Sequence, residues 1–146
     1  MLSNSCRYGI RAVIYLATQP QEGGKTGIRK ISDDLGLPSP FLAKILMQLA
    51  KQKILASTKG PHGGFALLRP PEKISVLDII NAIDGNDVFT NCIMHNGSCE
   101  KIGTEKKFCP MHEDYEKTRK EMIKLFSGKT IYDLALRADN SEFITI

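Results

Sequence analysis

Gly36-Leu37-Pro38 separates two short amphipathic segments, and a glycine-rich run, Thr58-Lys59-Gly60-Pro61-His62-Gly63-Gly64, separates two short apolar ones. Few folds accept that order. Residues 28–35 place Ile28, Ile31 and Leu35 on one helical face, and the Gly-Leu-Pro sequence then breaks the helix. A second helix is expected over residues 40–51, with Leu42, Ile45, Leu46 and Leu49 turned inward. Ser39 is expected as its N-cap. Pro40 suits the first turn, where a missing N–H costs nothing. Residues 54–57 and 65–68 read as the strands of a hairpin whose tip needs backbone angles that only glycine adopts easily. Helix, tight turn, helix and glycine-tipped hairpin is the order of a winged helix-turn-helix. In that motif the second helix enters the major groove of DNA.

The remaining pattern is mostly helical. Residues 5–18 carry Tyr8, Ala12, Tyr15 and Leu16 at helical spacing, and Pro20 and Gly23-Gly24 end the run. Ser75 is expected to cap a helix over 76–83, whose apolar positions are Val76, Ile79, Ile80 and Ile83. Residues 84–109 show turn chemistry and no sustained period. After Pro110 a long helix is expected to Ser127. Met111, Tyr115, Thr118, Met122 and Leu125 form a narrow heptad-like seam along it, suited to packing against a second copy. Gly128 ends that helix, and Thr130 is expected to cap a short one through Arg137. The fold class is therefore mostly α with a small β-hairpin wing. The expected division is a winged helix-turn-helix DNA-binding domain at 1–85, a cysteine-bearing loop at 86–109, and a dimerisation helix with a short C-terminal helix at 110–146.

With 42% hydrophobic and 25% charged residues, the 146-residue chain is a globular protein and not a disordered one. Its apolar runs fall short of the ~18 residues that span a bilayer. Its first residues lack the features of a secretory signal. A soluble cytoplasmic protein with no membrane partner is expected, and in that compartment thiols serve as ligands or redox groups more often than as disulfides. The net charge of +4 is unevenly placed. Residues 1–85 hold 11 Lys+Arg and 6 Asp+Glu, a balance of +5, while residues 86–146 hold 9 and 10, a balance of −1. No acidic residue lies between Asp34 and Glu72, a stretch that holds Lys44, Lys51, Lys53, Lys59, His62 and Arg69. A basic, acid-free segment is what a phosphate-facing surface requires.

That segment coincides with the expected recognition helix and wing. Ser39, Pro40, Phe41, Ala43 and Lys44 occupy the helix N-terminus, which meets base edges in this geometry. Ser39 suits a base or phosphate, Phe41 a thymine methyl, and Lys44 a phosphate or guanine. At the wing, Lys59, Gly60, His62, Gly63 and Gly64 combine charge with bare backbone that approaches a phosphate closely. The plainer alternative is a three-helix scaffold in which Phe41 is core.

Cys92, Cys99 and Cys109 are separated by six and nine residues, and His112 follows three residues after the last. Three thiols and an imidazole suit zinc or an iron–sulfur cluster, and the start of a helix favours negative charge beside it. Bare redox thiols are a further reading. His95, Glu113 and Cys6 are rivals to His112 as the fourth ligand. Cys6 and His95 read more simply as a buried thiol and an exposed loop side chain.

The opening Arg7-Tyr8-Gly9-Ile10-Arg11-Ala12 with Leu16-Ala17 resembles that of one bacterial family. So does the wing Lys59-Gly60-Pro61-His62-Gly63-Gly64-Phe65 with Leu67 and Arg69-Pro70. This is the IscR/NsrR/CymR-type, or Rrf, family of winged-helix transcriptional regulators, and the resemblance covers nearly the whole chain. It implies a homodimer that binds a roughly palindromic double-stranded operator, with Met111, Tyr115, Met122 and Leu125 at the dimer seam. It also implies that Cys92, Cys99 and Cys109 hold a [2Fe–2S] or [4Fe–4S] cluster, and that the chain senses cluster supply, redox or nitrosative status. Lys59 stands where many members have Arg, Ala43 where some have an acidic residue, and the cysteine gaps are longer than usual.

Two other function classes remain. One is a winged-helix regulator with structural zinc or metal-free thiols in the same loop. The other is a metal or redox protein that does not bind DNA. No Cys-x-x-Cys beside a βαβ pattern, glycine-rich phosphate loop or nucleophile–base pairing is present, so the chain is not read as an enzyme.

Overall fold

A computed structural model describes residues 2–20, 24–98 and 109–138. Helix α1 (Asn4–Thr18) opens the fold, capped by the Ser3 hydroxyl, which accepts from the Cys6 amide at 3.0 Å. Helix α2 (Ile28–Leu35) ends at Gly36, which adopts φ 63°, a left-handed conformation that favours glycine. Leu37 is buried, and its carbonyl accepts from the Ser32 hydroxyl, so the turn is anchored from both sides. Helix α3 (Ser39–Lys51) follows with Leu42, Ile45, Leu46 and Leu49 buried. Its N-cap is Pro38 and no side chain caps it, so Ser39 is the first helical residue and not the expected cap. A proline cap leaves the Ser39 hydroxyl uncommitted to the helix.

Strands β1 (Leu55–Thr58) and β2 (Gly64–Leu67) pair antiparallel, from Leu55 against Leu67 to Thr58 against Gly64. Each lies one residue from its expected place. The shift has a tertiary cause: Thr26 bridges Phe65 through both backbone hydrogen bonds at 2.9 Å, which draws Gly64 into the sheet. A 3₁₀ turn at Pro71–Lys73 leads to helix α4 (Val76–Ile83). There Ser75 and Asp78 form a reciprocal capping box.

The segment expected to lack regular structure contains a single helical turn, α5 (Asp87–Thr90), pinned by the buried side chain of Phe89. Helix α6 (His112–Ser127) starts one residue later than expected, after a turn at Pro110-Met111. Helix α7 (Ile131–Ala138) is capped by Thr130 with Asp133, in the same reciprocal manner as α4. Among the described residues the result is mostly helical with one hairpin, the expected winged-helix class.

Helix α1 is the central element and packs against α2, α3, α4, β2 and α7. Val13, Ile31, Leu42, Leu46, Leu49, Ile79 and Ile131 form the main core. A second cluster joins Cys6, Val76, Ile80 and Phe89, and Met122, Ile123 and Phe126 of α6 pack onto it. The outer face of α3 and the wing are thus held on one rigid unit, and the start of α6 lies beside the loop that carries Cys92.

Candidate nucleic-acid interface and cysteine site

Helix α3 turns Pro40, Phe41, Lys44, Met47 and Lys51 outward, while Ser39 and Ala43 are half-buried. Phe41 is 39% exposed and meets the ring of Tyr8 edge-on, with centroids 5.7 Å apart. One side of the ring therefore packs on α1 and the rest faces outward. Gln48 donates to the Ala82 and Ile83 carbonyls at 3.0 and 3.2 Å, which fixes the back of α3 to the end of α4. Lys59, Gly60, Pro61 and His62 are exposed at the wing tip, where the Gly63 amide donates to Gly60 O at 2.9 Å. A side chain at Gly63 would overlap the Thr58 carbonyl, and one at Gly64 would overlap the Thr26 carbonyl. Both glycines are thus dictated by close backbone approach.

Residues that the sequence reading did not single out join this surface. A cleft of about 580 Å³ lies between the start of α2 and the wing, lined among others by Gly27, Arg29, Thr58 and Gly60. Lys25 reaches across to the Thr58 hydroxyl. Met47 is exposed in the middle of α3, its sulfur 3.5 Å from the Ser57 hydroxyl. Lys25, Arg29 and Lys30 form a basic run just ahead of the acid-free stretch, and that run was the available signal.

The cysteine loop is closed in a different way. Asn91 bridges Ser98, and the Cys92 amide donates to Gly97 O at 3.0 Å, with Gly97 at φ 114°. This turn presents Cys92, whose Sγ accepts from the Met94 amide at 3.4 Å. Cys109 is buried, and its Sγ lies 3.7 Å from that of Cys92. The Cys109 carbonyl accepts from the His112 amide at 3.0 Å, so the half-buried His112 opens α6 one turn beyond the thiol. His95 and Glu113 are exposed. Cys99 lies outside the described residues. Among the described residues no three His, Cys, Asp or Glu form a metal-holding group.

Cys6 is fully buried with Val76, Ile80 and Phe89. Burial, and then the adjacent Asp84 carboxylate, push its thiol up to about 12. Asp84 itself accepts from the Ser3 amide and hydroxyl at 2.8 and 2.5 Å. A sealed thiol that holds its proton is a core group, not a soft ligand.

On α6 the expected seam divides. Met111, at the N-cap, is 40% exposed, and Leu125 is 54% exposed. Met122 packs on the Cys6 cluster of its own chain, and Tyr115 lies under the Arg119 guanidinium at 4.8 Å. Tyr132 and Leu136 of α7 are also exposed, at 41% and 50%.

Residues 2–137 match the family Rrf2, described as an iron-dependent transcriptional regulator. A protein of Aquifex aeolicus named as an HTH-type transcriptional regulator is 31% identical over 134 residues, covering 92% of this chain and 90% of that relative. The fold is similar to that of CymR, the global cysteine regulator of B. subtilis, with a TM-score of 0.75 at 23% identity, covering 94% of this chain and 97% of that one. It is also similar to IscR of T. potens, with a TM-score of 0.74 at 24% identity and coverage of 98% and 91%.

Proposed function

The chain belongs to the Rrf2 family of transcriptional regulators, and from that premise we propose a homodimeric operator-binding regulator whose Cys92, Cys99, Cys109 and His112 hold an iron–sulfur cluster. The observation that carries the cluster reading is the approach of Cys92 and Cys109 to 3.7 Å between their sulfurs. Two thiolates bonded to one tetrahedral metal at ~2.3 Å stand about 3.8 Å apart. The described ligands fit such a group: one thiol is buried beside a helix start, one accepts an amide hydrogen bond, and an imidazole lies one turn on. The family's iron dependence favours iron over zinc. When bound, the cluster supplies a one-electron couple sensitive to oxidants and to nitric oxide.

The protein's own part is to read DNA and to link that reading to the thiols. In a dimer, two α3 helices enter successive major grooves about one helical turn apart. Lys44 and Lys59 meet phosphates, and Ser39, Pro40, Phe41 and Ala43 lie nearest the bases. Gly60, His62, Gly63 and Gly64 let the wing approach the backbone. Met111, Tyr115 and Leu125 supply apolar surface toward the partner, and Met122 braces α6 from within. Residues 1–85 are the DNA-binding part, 86–109 the sensor loop, and 110–146 the dimerisation part. Because the cysteine site sits at the start of α6, a change in its ligation reorients that helix and shifts the population of DNA-competent dimers.

The test is binding to the protein's own promoter DNA by fluorescence anisotropy, with anaerobically prepared loaded protein and with metal-free protein. The reading expects salt-dependent binding in which the two forms differ in affinity or in preferred site. Equal affinity and equal site preference would remove the sensor role, and no promoter binding by either form would remove the operator reading.

A further inference from the structure

Helix α6 buries one residue among those described, and that residue is Arg119. A guanidinium taken out of water is costly unless it is paired and hydrogen-bonded. Here Nη1 donates to Glu116 Oε2 at 2.6 Å, Nη2 donates to the Asn91 carbonyl at 3.2 Å, and the group lies over the Tyr115 ring. Glu116 and Tyr115 belong to the same helix. Asn91 does not: it precedes Cys92 and begins the turn closed by the Asn91–Ser98 bridge.

These contacts form a closed circuit. Helix α6 holds Arg119, Arg119 holds Asn91, Asn91 leads into Cys92, and Cys92 Sγ meets Cys109 Sγ three residues before α6 begins. We propose that Arg119 is the positioning residue of the cysteine site, clamping the Asn91 carbonyl to α6 so that Cys92 is set against Cys109. The fork is what the task needs. One nitrogen anchors to Glu116 while another reaches the carbonyl, and a single ammonium does not reproduce that planar pair. Burying a charged side chain beneath the loop is offset by these contacts, which tie the loop to α6. The proposal rests on the ligand reading of these thiols, but its test does not need the cluster.

Phenylarsine oxide is the probe. Its arsenic(III) forms two As–S bonds with two converged thiols, and the two thiol protons leave with the oxide as water, with no electron transferred. In metal-free Cys99→Ser protein the converged thiols are Cys92 and Cys109, because Cys6 is sealed in the core. The parent is expected to bind one arsenical per chain. Arg119→Gln, with unchanged far-UV circular dichroism, is expected to bind at least about tenfold more weakly, the scale on which groups that orient ligands act. Arg119→Lys falls between the two. Arg119→Gln binding within about twofold of the parent overturns the proposal, since tenfold is the expected scale. If Arg119→Gln does not fold, Arg119→Lys decides, and parental binding by it overturns the proposal equally. Iron and sulfide analysis of the unmodified protein judges the cluster separately. Zinc-only protein with Arg119-dependent arsenical binding removes the cluster and keeps the clamp, while iron-loaded protein with Arg119-independent binding does the reverse.

Discussion

The ring of Tyr8 stands edge-on to that of Phe41, at 86° and 5.7 Å between centroids, and so joins the opening helix to the N-terminal turn of α3. Edge-to-face pairs of this kind add about 0.5–1.5 kcal/mol beyond the area they bury. The contact holds Phe41 at one edge and leaves part of it outward, next to Lys44. The N-terminal turn of α3, the proposed DNA-reading end, is therefore preset by α1.

The proposed phosphate contacts have a measurable consequence. Lys44 and Lys59 are both exposed. Replacing both with Ala should weaken promoter binding at every sequence and flatten the log–log salt slope of the bound dimer by about 4, one unit for each lost phosphate contact with two lost per protomer. Anisotropy titrations at several salt concentrations read this directly. Thermal unfolding of the double variant should match the parent.

The wing depends on bare backbone at Gly64. A Cβ there would overlap the Thr26 carbonyl, and the Thr26–Phe65 bridge would have to open. Gly64→Ala is expected to cost about 1–3 kcal/mol in urea unfolding, the usual scale of overpacking. DNA affinity should fall with it, because the wing and the start of α2 share that bridge.

Cys6 gives the chain an alkaline sensitivity. Its thiol stands at about 12, against an ordinary 9.0, through burial and then the Asp84 charge. The folded chain keeps this proton where unfolded chains release it. The associated stability is full below about pH 9 and is lost as pH rises through about 12. Cys6→Ser should show a shallower fall in urea midpoint between pH 9 and 11 than the parent. Iodoacetamide at pH 8 should leave Cys6 of the native chain unmodified by mass spectrometry.

Leu125 tests the dimer surface. It is 54% exposed on α6, whereas Met122 three residues earlier is spent on the chain's own second cluster. Leu125→Glu places a charge in the proposed seam without touching the core. Light scattering should show monomer, and operator affinity should drop with the loss of paired half-site contacts.

Much of the architecture was legible because it is locally encoded. The bounds of α2 follow from its apolar spacing and from the left-handed Gly36, and the capping box at Ser75 and Asp78 marks the start of α4. What escaped was set by tertiary contacts. The Thr26 bridge shifted the hairpin by one residue and brought Lys25 and Arg29 to the wing. The single turn of α5 is too short to show a period, and its reason is the burial of Phe89. On α6, heptad spacing reads as one seam, yet Met122 packs on the chain's own second cluster and Leu125 is exposed. Arg119 was invisible for a related reason: a charged residue on a polar helix reads as solvent-facing, and only the loop folded over it reveals its place. At the cysteine site the candidate ligands were legible from residue type, but the convergence of Cys92 and Cys109 across 17 positions was not.

Iron and acid-labile sulfide per chain, with the visible spectrum, in anaerobically purified protein test the central claim most directly. The account predicts brown protein with roughly equal iron and sulfide, about two to four of each per chain, lost together with the visible bands in Cys92→Ser or Cys109→Ser. Colourless protein that carries zinc alone, or no metal, would contradict it.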